Sequence, residues 1–448
     1  MAICSTVLHQ CIELATTGYA ERIHTSPTFS MNLSRCLSVL IALLLTSCNT
    51  DSSSDQKEKR LVILGSLTGV GQEIVEEAFA PFTAETGIEV VYEGTDAFTT
   101  VLPIRVEGGN VPDLAIFPQP GLMRDLAREG ALTPLNNVVD TAALNNAFSP
   151  DWVDLGSVNG QIYGIWMRSD PKSLVWYNPE AFAAAGYNIP ASWAELMALT
   201  ETIAATGTPP WCLGMESGEA TGWVGTDWVE DILLRTAGPE VYDQWVAHEI
   251  PFNSAPVKEA VTTFGQIVRN ERYVLGGTIG AISTPFGDAP APLFDQPPGC
   301  YLHRQASFIT DFLPEEVQPG VDTQVFLLPG DNASAPLLTG GLVIAMTSNT
   351  SAAQAAMNYL TTVTPHESWA ARGYISPHTQ VDLAIYPNDG IRQMAEVLAQ
   401  ADTIRFDGSD LMPAAVGTGT FWTEMVNYVS GTDIETVLSA IDDSWPEE

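Results

Sequence analysis

The side chains best suited to gripping a small polar molecule are concentrated in Trp211–Trp228. There Trp211, Glu216, Ser217, Glu219, Trp223, Asp227 and Trp228 alternate with glycines, a composition that a core strand would not carry. Flat rings cover apolar C–H faces, while carboxylates and hydroxyls bond hydroxyl groups, so this mixture suits an uncharged, polyhydroxylated ligand. We expect Glu216, Ser217, Trp223 and Asp227 near such a ligand. Trp228 lies four residues before Ile232, the spacing of one helix face, and is expected in a core.

The signatures of several enzyme classes are missing. The sequence holds no G-x-S-x-G elbow, no H-E-x-x-H pair and no G-x-x-x-x-G-K-[ST] loop. A secreted carbohydrate-active enzyme working with two carboxylates is the rival class, but among 54 acidic residues chance carboxylate pairs abound, so their abundance proves nothing. The six histidines show no metal-ligand spacing with the cysteines, and neither a metal nor a cofactor is expected.

These side chains need elements to hold them. Leu61–Leu64 reads as a buried strand, Gln72–Thr86 as a helix stopped by Gly87, and Ile88–Tyr92 as a second strand. A helix over Phe98–Glu107 then leads to a third strand, Leu114–Phe117. Such alternation predicts an α/β fold with a mostly parallel sheet covered on both faces, whose ligands sit beyond the strands' carboxyl ends. The loops 65–69, 94–98 and 117–121 therefore add Ser66, Thr68, Asp96 and Gln119 as candidates.

The 448-residue length suits two lobes. Asn32–Cys48 has one arginine, a short apolar run and small residues before a cysteine, too short to span a bilayer and read as a secretory signal. Leu45-Thr46-Ser47-Cys48 resembles a bacterial lipoprotein box, which implies lipid on Cys48 and an exported chain tethered to the membrane. Residues 1–30 read as an upstream extension, 31–47 as the signal and 48–60 as a flexible linker. The net charge of −36 argues against nucleic acid or an anionic membrane surface as a partner. With Cys4, Cys11 and Cys36 in the leader, Cys212 and Cys300 remain; an exported compartment favours a bond between them over two free thiols.

LVILGSLTG, FTAETGIEVVYE, VPDLAIF and EGALTPL resemble the opening lobe of the extracellular sugar-binding proteins of bacterial ABC importers, of the maltose-binding type. VNGQIYGIWM with SLVWYN resembles that family's crossing into a second lobe, and IPASWAEL its turn into a helix. GCYLHRQASF, Gly340–Ala345 and MPAAVGTGTFW follow in the family's order. The wording WCLGMES, HRQASF and FDGSDLMP is similar to the α-glucoside branch. The resemblance implies two discontinuous lobes, 61–168 with 339–400 and 172–337 with 403–448, joined by a multi-strand hinge. It implies a monomeric binder, not an enzyme, that hands a small α-glucoside (trehalose, sucrose, maltose or glucosylglycerol) to a permease driven by a cytoplasmic ATPase. It brings Gln305 and Phe308 to the cleft, with Phe308 in a stacking position. It adds Gly340 and Gly341 at the return crossing, and Arg372, Asp407, Asp410 and Trp422 as further contacts. Bracing by His303 and Arg304, turn chemistry at Asp410, surface pairing of Arg372 and core packing of Trp422 are the structural alternatives. Thr68 and Pro118–Gly121 depart from the family's acids and base, which suggests a small ligand held by few first-lobe charges.

Overall fold

The computed structural model describes residues 59–330, 336–401 and 403–446. The leader, Cys48 and nearly all of the expected linker lie outside them. Strand β1 (Arg60–Gly65) is paired in parallel with β2 (Glu89–Gly94) and β3 (Leu114–Phe117). Helices α1 (Val70–Thr86) and α2 (Phe98–Glu107) make the intervening crossovers, and α3 (Pro120–Arg128) follows β3. A small hairpin, β4 (Ser157–Val158) and β5 (Gln161–Ile162), then leads into β6 (Gly164–Pro171), which is buried throughout.

The sheet is mixed rather than mostly parallel, which corrects the expectation. Strand β10 (Leu337–Met346) runs antiparallel to both β3 and β6, because it re-enters the sheet from the far side of the molecule. Its first residues pair in parallel with the edge strand β11 (Ile404–Phe406). Beyond β6 the chain continues through Lys172 and Ser173 into β7 (Leu174–Tyr177) of a second sheet. There β7 lies antiparallel between β8 (His303–Arg304) and β9 (Gln324–Leu327).

Two large apolar clusters define two lobes. One gathers Leu61, Ile63, Phe79, Phe117, Ile344 and Trp369 around the first sheet. The other gathers Trp211, Trp228, Ile232, Phe264 and Leu302 around α4 (Trp223–Thr236) and α6 (Ala255–Val268) in the second lobe, with α5 (Pro239–Val246) between them in sequence. Trp228 stacks on Phe264 at 5.9 Å, as its spacing from Ile232 predicts. A third cluster joins Leu174 and Trp176 of the second sheet to Ile391 and Met394. The disulfide between Cys212 and Cys300, Cα atoms 5.6 Å apart, is buried in this cluster.

Three stretches cross between the lobes: β6 into β7, the start of β10, and β11 into α7 (Gly408–Leu411). Their close approach explains the paired glycines of β10. A Cβ on Gly340 would stand 2.6 Å from the Lys172 side chain, and one on Gly341 2.3 Å from the Arg168 carbonyl. After the third crossing, Ala415–Phe421 runs in π-helical geometry into α8 (Trp422–Val429).

Candidate functional site

The crossing strand β6 brings charge to the junction of the lobes. Strand periodicity puts Arg168 and Asp170 on one side, and Lys172 follows at the same spacing. Arg168 Nε donates to Asp170 Oδ2 at 2.9 Å. Its guanidinium carbon lies 4.4 Å from the Tyr374 ring of the first lobe and 5.7 Å from the Phe308 ring of the second. Phe308 faces Trp223 at 5.9 Å, and Phe286 touches Trp223 at 5.2 Å. Lys172 Nζ sits 5.6 Å above the Trp223 ring. Trp223 and Phe308 are half-buried, and Phe308 belongs to none of the apolar clusters.

First-lobe loops close this circuit. Tyr92, at the end of β2, accepts the Leu67 N–H through its hydroxyl at 3.1 Å and lies within electrostatic reach of Arg168. Ser66 is half-buried at the end of β1, and the Thr68 hydroxyl lies 3.5 Å from Asp96 Oδ1 on the exposed rim. Gln119 begins α3; its Oε1 is sealed from solvent with no hydrogen-bond partner. Next to it, a Cβ on Gly121 would meet the carbonyls of Met412 and Asp410, which fixes α3 against the third crossing. Trp422 is buried yet outside the apolar clusters, and its indole N–H has no partner.

Behind the rings lies a buried ion network. Lys172 Nζ donates to Asp227 Oδ1 at 3.0 Å and makes a short contact to Asp407, with Asp410 at 3.9 Å. Arg304 spans Asp227 and Asp231, and Asp231 also holds Arg235. Glu230 accepts the backbone N–H groups of Gly408 and Ser409 at 2.7 and 3.1 Å. These partners tie α4 of the second lobe to the first and third crossings.

So many acids in one dry volume cannot all ionise. Burial, opposed by Lys172 and reinforced by Asp407, pushes Asp227 up to about 7. Burial likewise raises Glu230 and Asp410 far above the carboxylate range, with Asp407's charge adding to the effect. Burial opposes ionisation of Asp407 too, but the Lys172 ammonium and accepted hydrogen bonds outweigh it and hold this carboxyl well below its usual value. Lys172 stays charged, because its acidic neighbours overcome the cost of burial.

Several expected contacts take structural places. Asp227, expected beside a ligand, is committed to Lys172 and Arg304. Gln305 is buried: its Oε1 accepts the Ala306 N–H and its carbonyl the Trp176 indole N–H. Gly340 and Gly341 serve strand packing. Arg372 is exposed and pairs with Glu77, and Glu216 Oε1 accepts the Gly218 N–H at 2.8 Å. Ser217 is half-buried, and its N–H donates to the Thr221 hydroxyl. Asp407 caps α7 by accepting the Asp410 N–H, and Arg304 braces the second lobe. Sequence reasoning passed over Arg168, Asp170 and Lys172. Their signal was Met167–Ser173, three charges at alternate positions between two apolar strand runs.

Residues 65–365 match the family of bacterial extracellular solute-binding proteins. The chain is also 52% identical over 414 residues to the osmoprotective compounds-binding protein GgtB of Synechocystis sp., covering 91% of this chain and 98% of that protein. This chain belongs to the bacterial extracellular solute-binding proteins. Within that family it is 42% identical over 402 residues to the alpha-glucosides-binding periplasmic protein AglE of Rhizobium meliloti, covering 87% and 88% of the two chains. The solute receptor AcbH, described as preferring β-D-galactopyranose, superposes with a TM-score of 0.75 at 17% identity over 86% of this chain and 98% of its own. RafE in complex with raffinose gives 0.68 at 18% identity over 86% and 98%. At such identities these two speak for the fold alone. A solute-binding protein of this family is an exported component of a sugar ABC importer, working with permease and ATPase subunits.

Proposed function

We propose that this solute-binding protein captures a small neutral α-glucoside between its lobes and releases it unaltered to the permease. The observation that carries the reading is the half-buried aromatic wall of Trp223, Phe286 and Phe308 beside Arg168 and Lys172, with buried polar atoms of Gln119 and Trp422 left without partners. Rings of this kind cover sugar C–H faces, and stranded donors and acceptors await hydroxyls. The names of GgtB and AglE, osmoprotective compounds and alpha-glucosides, support trehalose, sucrose, maltose or glucosylglycerol as candidates. Ser66, Thr68 and Asp96 complete the proposed rim, with Asp410 of the buried network behind it. The lobe limits 61–168 with 339–400 and 172–337 with 403–448 belong to the proposal, as do the monomeric state, the absence of catalysis and the lipid on Cys48.

Calorimetry against those four sugars, with product analysis, tests the reading. Saturable binding of one or more, with the sugar recovered intact, is the expected result, and Trp223→Ala should weaken it at least tenfold. Hydrolysis of the bound glycoside would replace this reading with the two-carboxylate enzyme.

A further inference from the structure

We propose that Arg168 is the central anchor for the ligand and that its surroundings select a neutral polyhydroxy compound against its carboxylate counterpart. This deepens the sugar reading above and rests on it.

Arg168 is 6% exposed, and its contacts leave one edge open. Its Nε is taken by Asp170, and rings from opposite lobes, Tyr374 and Phe308, lie against the guanidinium. The two Nη nitrogens make no hydrogen bond among the described residues, although such donors are costly to leave unmade in a nearly buried group. They are the donors left for a ligand held between the lobes.

An isolated guanidinium prefers a carboxylate, which it grips with two parallel hydrogen bonds. Arg168 is not isolated. Asp170 already neutralises it and is itself held by the Ser307 hydroxyl at 3.4 Å, while exposed Asp311 acts on it through space. Nearby, Lys172 is consumed by Asp227 and Asp407, with Asp410 close behind. Asp170 thus pairs Arg168 and Asp407 pairs Lys172, so neither cation is left uncompensated. A second carboxylate brought in by a ligand would meet donors of suitable geometry but no uncompensated positive charge to repay its desolvation. Hydroxyls accept the same bonds without adding charge.

The test compares the neutral glucoside that binds best with its carboxylate counterpart: glucosylglycerate for glucosylglycerol, or the glucuronide for a disaccharide. For the full chain near pH 7, the acid should bind at least tenfold more weakly. Arg168→Lys, which keeps the charge but loses the fork, should weaken the neutral ligand at least tenfold while thermal stability stays near that of the wild type. Asp311→Asn alters an exposed side chain; it should narrow the gap between the two ligands chiefly by improving the acid. Equal affinity for both, or full neutral affinity in Arg168→Lys, would overturn the inference and leave the sugar reading standing. Failure of the wild type to bind any neutral glucoside would sink both.

Discussion

At Asp227 a single carboxyl shows what the hinge costs in charge. It sits between Lys172 and Arg304, yet burial and Asp407 still lift it to about 7. A carboxyl raised on folding binds its proton more tightly in the native state than in the unfolded chain. Between about pH 4 and 7 the native state therefore holds more protons, and stability falls as pH rises through that window. Glu230 and Asp410 add slopes of the same sign, whereas Asp407, whose value is depressed, adds stability that is lost on acidification. In Asp227→Asn the amide stands in for the protonated acid, so this variant should show a shallower decline from pH 4 to 7 in Tm measurements. An unchanged slope would mean that Asp227 ionises normally in the fold.

Among the elements, those with local signals were readable. The strand Leu114–Phe117 and the helix at Phe98–Glu107 stand where the sequence reading places them. Helix Trp193–Ala205 begins where the IPASWAEL turn implies: Ser192 accepts the Glu195 N–H, and Glu195 in return accepts the Ala191 N–H. The direction of β10 was not readable, because periodicity is the same in parallel and antiparallel strands. Nor was the network around Lys172, whose partners lie 55 and 235 residues away in sequence. The Cys212–Cys300 bond was an expectation from compartment, and the fold brings both residues into one cluster. It closes a loop of 88 residues, worth about 4–5 kcal/mol in a chain-entropy account. Replacing both cysteines by serine should cost about 2–5 kcal/mol in denaturant unfolding at unchanged ligand stoichiometry. A loss below about 1 kcal/mol would show that the apolar cluster alone holds this part of the second lobe.

Across the whole molecule, ligand affinity depends on how much of the population has its lobes together, since only that form offers both walls of the site. The ion network gathers at the crossings, where it holds the hinge. Away from the hinge, the Thr100 hydroxyl of α2 donates to Glu219 Oε2 of the second lobe at 2.8 Å. Both residues are exposed, so the bond is worth about 0.5–1 kcal/mol. A contact made only when the lobes meet adds its free energy to closure and hence to apparent affinity, although it touches no sugar. Thr100→Val keeps the side chain's volume and removes the donor. It should weaken ligand binding by about two- to fivefold, mostly through faster dissociation, with thermal stability of the unliganded protein unchanged. Stopped-flow fluorescence of the site tryptophans separates the rates. A slower association with unchanged dissociation would place the contact in the encounter rather than in closure. No change in either rate would show that the lobes close without it.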